Sequence, residues 1–139
     1  MYENYSRQAL PSKYYRELLG SALCVFNSNN SFVIENILQN PENNENWYKL
    51  LDKTSGRLCN KLKFIKKEYR QVITEKFTKI VSMRDRIVHS FQITDSEGNQ
   101  VLATKDKENQ QYIITEEYLL DFIKKNEELS LLLYKHRGY

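Results

Sequence analysis

Glycine and proline are scarce in this chain, 4 and 2 residues of 139, a scarcity that favours helix over a path broken by frequent turns. Cysteine is scarcer in pattern than in number. Cys24 and Cys59 stand apart, with neither CxxC spacing nor a neighbouring histidine, which argues against a zinc site or a disulfide framework and predicts two reduced, semi-buried thiols. No apolar run approaches the roughly 20 residues that cross a bilayer. Met1-Tyr2-Glu3-Asn4 lacks a charged-then-apolar signal pattern, so the expectation is a cytoplasmic protein without a membrane partner. Glycine-rich phosphate loops, GxSxG elbows, HExxH zinc helices and paired-carboxylate spacings are all missing, and neither metal nor cofactor is expected.

What is there fits one domain over residues 1–139. Hydrophobic residues make up 40% and charged residues 28%, and a chain near 150 residues buries about 70% of its unfolded surface, enough for one core. The formal charge is +3, from 21 Lys+Arg against 18 Asp+Glu. That balance permits contact with nucleic acid without demanding it, because binding by counterion release alone needs a denser basic face.

Apolar spacing predicts a mainly α fold, a bundle of four to five helices with a small antiparallel β meander before the last one. Tyr14, Leu18, Leu19, Ala22, Val25 and Phe26 recur at three- and four-residue steps, and Asn27-Ser28-Asn29-Asn30 then reads as an interruption. Ser31 is a candidate cap for a short second helix with Phe32, Val33, Ile34, Ile37 and Leu38. A third helix is predicted from Trp47 through Leu50, Leu51, Thr54, Leu58, Leu62 and Ile65, weakened at Gly56. The fourth, from about Glu68, is the most regular. It forms with the third either one bent rod or two antiparallel ones. Short strands are predicted at Phe91-Gln92-Ile93-Thr94, Val101-Leu102-Ala103-Thr104 and Tyr112-Ile113-Ile114, in an insertion at about 91–115. Thr115 would cap the last helix, with Glu116 and Glu117 at its positive end and Lys135, His136 and Arg137 at its negative end.

One charge breaks the pattern. On a wheel of about 100° per residue, Ile73, Phe77, Ile80, Val81, Ile87, Val88 and Phe91 all fall within about 60° of Arg84. Arginine stays charged, and an unpaired buried charge costs several kcal/mol, so a carboxylate, a second subunit or a bound anion must answer it. A structural ion pair or a stem that snorkels to solvent satisfies the same demand.

Five residues on lies His89, in the string Met83-Arg84-Asp85-Arg86-Ile87-Val88-His89-Ser90-Phe91. This string resembles the signature of the HEPN superfamily, an Arg, four to six residues, then a His, with a polar residue such as Asp85 after the Arg. Many members are metal-independent endoribonucleases whose Arg and His line a cleft between two protomers, and they act as toxins or in phage defence. The resemblance therefore implies RNA as substrate, a homodimer, and in the toxin–antitoxin case an antitoxin protein as partner. Two departures stand out. Phe91 occupies the place where some toxin members carry a modifiable Tyr, so regulation through that hydroxyl is not supported, and the β meander is foreign to the minimal helical fold.

The chemistry is consistent with the residue types. RNA cleavage through the ribose 2′-hydroxyl needs a proton acceptor, a proton donor and a cation for the charge developing on phosphorus. His89 can exchange protons near neutral pH, Arg84 can grip phosphate oxygens, and Asp85, one turn before His89, can orient the ring. Arg86 is a candidate second phosphate contact. Arg84 and His89 project about 140° apart on an ideal helix, so either the helix ends near His89 or residues of two copies converge. Lys61, Lys63, Lys66, Lys67 and Arg70 form the densest basic run, readable as an RNA track with Tyr69 stacking a base or as a plain solvated face. His136 reads as a solvated helix end. Two other readings remain open: a non-catalytic HEPN-like module for RNA, nucleotide or protein, and a structural helical protein in which the Arg-x4-His spacing is accidental.

Overall fold

Helix α1 begins where the Ser12 hydroxyl accepts the Tyr15 N–H at 3.1 Å, and it runs over Lys13–Leu38. The computed structural model describes residues 2–138. After α1 come α2 (Trp47–Asp52), α3 (Ser55–Leu58), a 3₁₀ segment (Cys59–Phe64), α4 (Lys67–Val88), strands β3 (Phe91–Thr94), β4 (Gln100–Lys105) and β5 (Gln111–Ile113), and α5 (Glu116–Arg137). A two-stranded ribbon, β1 (Tyr2–Glu3) with β2 (Gln8–Ala9), precedes α1. The fold is thus mainly α, five α-helices among the described residues, with an antiparallel β3-β4-β5 meander before the last helix.

Helices α1, α4 and α5 form the frame, with α5 packed on both of the others. Each presents an apolar stripe inward: Phe26 of α1 stacks on Phe77 of α4 and Phe122 of α5 at 6.5 and 6.2 Å between ring centroids. All three rings are buried, and burying one such side chain stabilises by roughly 1.5–3 kcal/mol. In the sheet, Phe91 pairs with Ala103 and Ala103 with Ile113, and Ala103 turns fully inward. Thr115 caps α5 by accepting the Tyr118 N–H at 3.0 Å, and Gly138 ends it in the left-handed region at φ 94°.

The structure departs from the sequence expectations in two places and adds one element they did not include. The Asn27–Asn30 interruption is continuous helix, because tertiary partners answer its polar groups: the buried Asn29 donates Nδ2–H to the Asn126 carbonyl at 2.8 Å and to Asn126 Oδ1 at 3.0 Å. The long third helix is instead three short pieces that cross the end of the bundle. Lys53 is extended, and Thr54 accepts the Arg57 N–H at 3.2 Å, restarting the helix with a side-chain cap that competes with a continuous ladder. Leu50, Leu58, Leu62 and Ile65 are buried nonetheless, whereas Leu51 of the same series is exposed, so the apolar spacing reported most of the burial but not the continuity. The third and fourth predicted helices are therefore neither a bent rod nor an antiparallel pair. Finally, the β1–β2 ribbon had no apolar signal; it closes around Glu3, whose carboxylate accepts the Tyr5 and Ser6 N–H groups at 2.6 and 2.8 Å.

Candidate functional site

Helix α4 stops at Val88 because Phe91 must enter the sheet opposite Ala103. His89 is the first residue past the helix, at φ −96° and ψ 21°, its N–H still bonded to the Asp85 carbonyl at 3.0 Å. Ser90 completes the stop, its hydroxyl donating to the Ile87 carbonyl at 2.7 Å. This end of α4 faces a cleft of about 610 Å³, walled on one side by Ser82, Asp85, Arg86 and His89, on the other by Thr104 and Lys105 of β4, with Cys59 across the gap. The volume lies within the range of ligand pockets, about 300–1,000 Å³.

Arg84 is on the flank of this cleft, not in its lining. Its guanidinium lies over the Phe26 ring, 5.0 Å from the centroid, and its Nη2 pairs with Asp85 Oδ1 at 3.0 Å. Nε is buried without a hydrogen-bond partner, although the side chain as a whole is 25% exposed. Of the answers available to a charge on an apolar stripe, the chain uses its nearest neighbour. That neighbour is itself 51% exposed, so Arg84 is not sealed against an interior acid. A half-exposed pair of this kind contributes about 1 kcal/mol or less, and the cation–π contact a comparable amount.

Asp85 consequently differs from its sequence role. Its carboxylate takes Arg84, and no hydrogen bond joins it to the His89 ring. Asp85 lines the cleft with His89 while its carboxylate holds Arg84. Within one chain Arg84 and His89 do not meet, as their projection on the helix anticipated. Arg86 is exposed and donates Nη1–H to the Lys105 carbonyl at 2.9 Å, tying α4 to β4.

The basic run sits at the far end of α4, about 33 Å from His89 by helix length. Its members are partly committed. Lys63 lies 5.3 Å and Lys61 5.9 Å from the Phe64 ring centroid, Lys61 also pairs with Glu45 at 3.5 Å, and Arg70 donates twice to the Ile65 carbonyl, at 3.1 and 3.0 Å. Lys66 Nζ reaches the His136 carbonyl at 3.4 Å. Lys63, Lys66, Lys67 and Arg70 remain exposed, but one chain does not gather them into the His89 cleft.

His136 is a plain correction. Instead of a solvated helix end it is 1% exposed, its Nε2 accepting the Lys66 N–H at 3.0 Å and its Nδ1 facing Asn36 Oδ1. Asn36 Nδ2 donates to the Phe32 carbonyl at 2.8 Å, which leaves Oδ1 as acceptor and places the imidazole proton on Nδ1. Burial, then the Lys66 charge, push its pKa down from the ordinary histidine value; Glu68 opposes and Arg137 adds to the lowering. Tyr69 stacks edge-on against this ring at 5.6 Å rather than waiting for a base.

Sequence reasoning missed Thr104, Lys105 and Ser82, and only the strand register and helix rotation at the cleft reveal them. The cysteines divide: Cys24 is exposed, against expectation, while burial pushes the half-buried Cys59 thiol up, with Thr78 donating weakly to its sulfur at 3.9 Å. Among the described residues no group of three or more His, Cys, Asp or Glu side chains could hold a metal ion, and no helix is long and apolar enough to cross a membrane. No family model, curated protein or solved structure matches the chain.

Proposed function

We propose that the chain is a HEPN-like, metal-independent endoribonuclease of the cytoplasm, active as a homodimer and serving toxin–antitoxin or phage-defence biology, with an antitoxin protein as a partner in the first case. Asp85 carries the reading. One carboxylate on the wall of the cleft that holds His89 also receives the Arg84 guanidinium at 3.0 Å, so the fixed cation is held beside the cleft that the acid–base group lines. Val88, one turn beyond Arg84 and 50% exposed, and Phe91, 37% exposed, leave apolar surface beside the site for a second protomer to cover.

In this reaction His89 takes the 2′-hydroxyl proton, the 2′-oxygen attacks phosphorus, and the bond to the 5′-oxygen breaks, leaving a 2′,3′-cyclic phosphate. His89 of the partner subunit returns a proton to the departing 5′-oxygen. Arg84, held in plane by Asp85 and Phe26, turns its free edge toward the phosphoryl oxygens. General acid–base work of this kind contributes about 10²- to 10⁴-fold.

The same Arg84–Phe26 contact favours a second reading, in which Arg84 only ties α4 to α1 and the cleft binds without cutting. Incubation of purified protein with total or transfer RNA in EDTA separates them. Cyclic-phosphate ends, lost in both His89→Ala and Arg84→Ala while the fold persists, support the nuclease. Intact RNA bound in a salt-sensitive way establishes the binding module. Loss of thermal stability in Arg84→Ala, with RNA neither bound nor cut by the wild type, leaves only a structural role.

A further inference from the structure

The β meander has no part in the chemistry assigned to α4, yet it builds one wall of the cleft. Its two hairpin turns share one plan. In the first, Asp95 Oδ1 accepts the N–H groups of Glu97 and Asn99 at 2.9 and 2.8 Å, and Gly98 takes the left-handed conformation at φ 85°. In the second, Asp106 Oδ1 accepts those of Glu108 and Gln110, both at 2.9 Å, and the left-handed residue is Asn109 at φ 65°. Glycine is the default for that conformation, and asparagine enters it at some cost. In return, Asn109 Oδ1 accepts a hydrogen bond from Lys105 Nζ at 2.9 Å.

Lys105 is therefore held from two directions, its ammonium by Asn109 and its carbonyl by Arg86 Nη1 at 2.9 Å. An ammonium has three donors; Asn109 uses one and two remain. Arg86 and Lys105 both line the cleft with His89. Of the nearby carboxylates, Asp85 is paired with Arg84, and Asp106 is bound by its own turn and by the Tyr112 hydroxyl at 3.2 Å while also lying within the field of Arg86. Arg86 is fixed to the backbone of Lys105 and the Lys105 ammonium to Asn109, so two cations from different elements are each held in place on the cleft wall, where an anion can meet them.

Building on the ribonuclease reading, we infer that Arg86 of α4 and Lys105 of the meander form a phosphate subsite for a phosphate flanking the one cut at His89. The ligand is single-stranded RNA. A cleft of about 610 Å³ has room for a nucleotide or two splayed from a single strand, whereas a duplex is recognised mostly by its shape over a surface spanning many base pairs.

The test measures binding of a labelled single-stranded oligonucleotide blocked by 2′-O-methyl groups, and cleavage of its unmodified counterpart, for wild type, Lys105→Ala, Asn109→Gly and His89→Ala. Lys105→Ala is expected to weaken binding roughly tenfold, as for one lost charge-assisted hydrogen bond. It should also reduce the slope of log K against log salt by about 0.7, with the loss of turnover appearing in KM rather than kcat. Asn109→Gly should weaken binding in the same direction while the melting temperature holds or rises, because glycine relieves the left-handed strain. Were the Lys105–Asn109 contact merely structural, Asn109→Gly would lower melting temperature and leave binding alone, and that result overturns the subsite. Wild-type binding and KM in both variants, with His89→Ala inactive, also overturn it and leave the ribonuclease reading standing. A wild type that neither binds nor cuts RNA removes that reading and the subsite together.

Discussion

Acidification should unlatch the far end of the bundle at His136. The ring is packed between α1, which supplies Asn36, the start of α4, which supplies Lys66, Glu68 and Tyr69, and its own helix, which supplies Arg137. Protonation puts a second N–H on Nε2, where the Lys66 N–H already points from 3.0 Å. Two donors then face each other, and the stranded amide costs about 1–3 kcal/mol. The sign follows from the lowered pKa. Between that lowered value and the ordinary 6.5, the unfolded chain binds the proton and the folded chain does not, so stability is full above pH 6.5 and falls as pH drops through this window. One proton limits the slope to about 1.4 kcal/mol per pH unit. Urea unfolding at pH 7.5, 6.5, 6.0 and 5.5 reads it directly. His136→Gln, which keeps a donor and an acceptor without titrating, should be less stable than wild type at pH 7.5 yet show a flatter pH dependence. Parallel pH profiles for the two proteins would refute the reasoning.

Three further outcomes follow from the packing. Asn29→Ala should destabilise by about 1–3 kcal/mol in urea unfolding by orphaning Asn126 Oδ1, whereas leucine at both 29 and 126 should recover most of the loss. Val88→Glu, at a half-exposed position, should change monomer stability by about 0.5 kcal/mol or less while weakening self-association in sedimentation velocity; an unaltered dimer places the seam elsewhere. Arg84→Met, which keeps an apolar side chain beside Phe26 and removes the charge, should change the melting temperature little and abolish RNA cleavage; cleavage at the wild-type rate would exclude Arg84 from the chemistry.

The readable part of the fold was the local part. Three- and four-residue apolar steps located most of α1 and α4, alternation and turn residues located the meander to within a residue or two, and Thr115 with the charges at either end announced α5. The same rules failed at Asn27–Asn30 and at residues 53–54. Asparagine and threonine side chains can serve either a helix or its interruption, and a partner 97 residues away decided in favour of the helix at Asn29. His136 was misread for the same reason, since its acceptor role depends on an amide 70 positions distant.

For the candidate site, sequence alone located an arginine on an apolar stripe and a histidine five residues later, because helical projection is a property of one segment. Which groups answer those side chains was settled by tertiary packing. Arg84 found Phe26 on another helix and Asp85 beside it, His89 was left at the mouth of a cleft, and Lys105 arrived there through the register of β4. A helix wheel gives the direction in which a side chain leaves its own backbone, whereas its neighbours depend on how distant segments close over it, and that closure is set by the summed packing of the whole core.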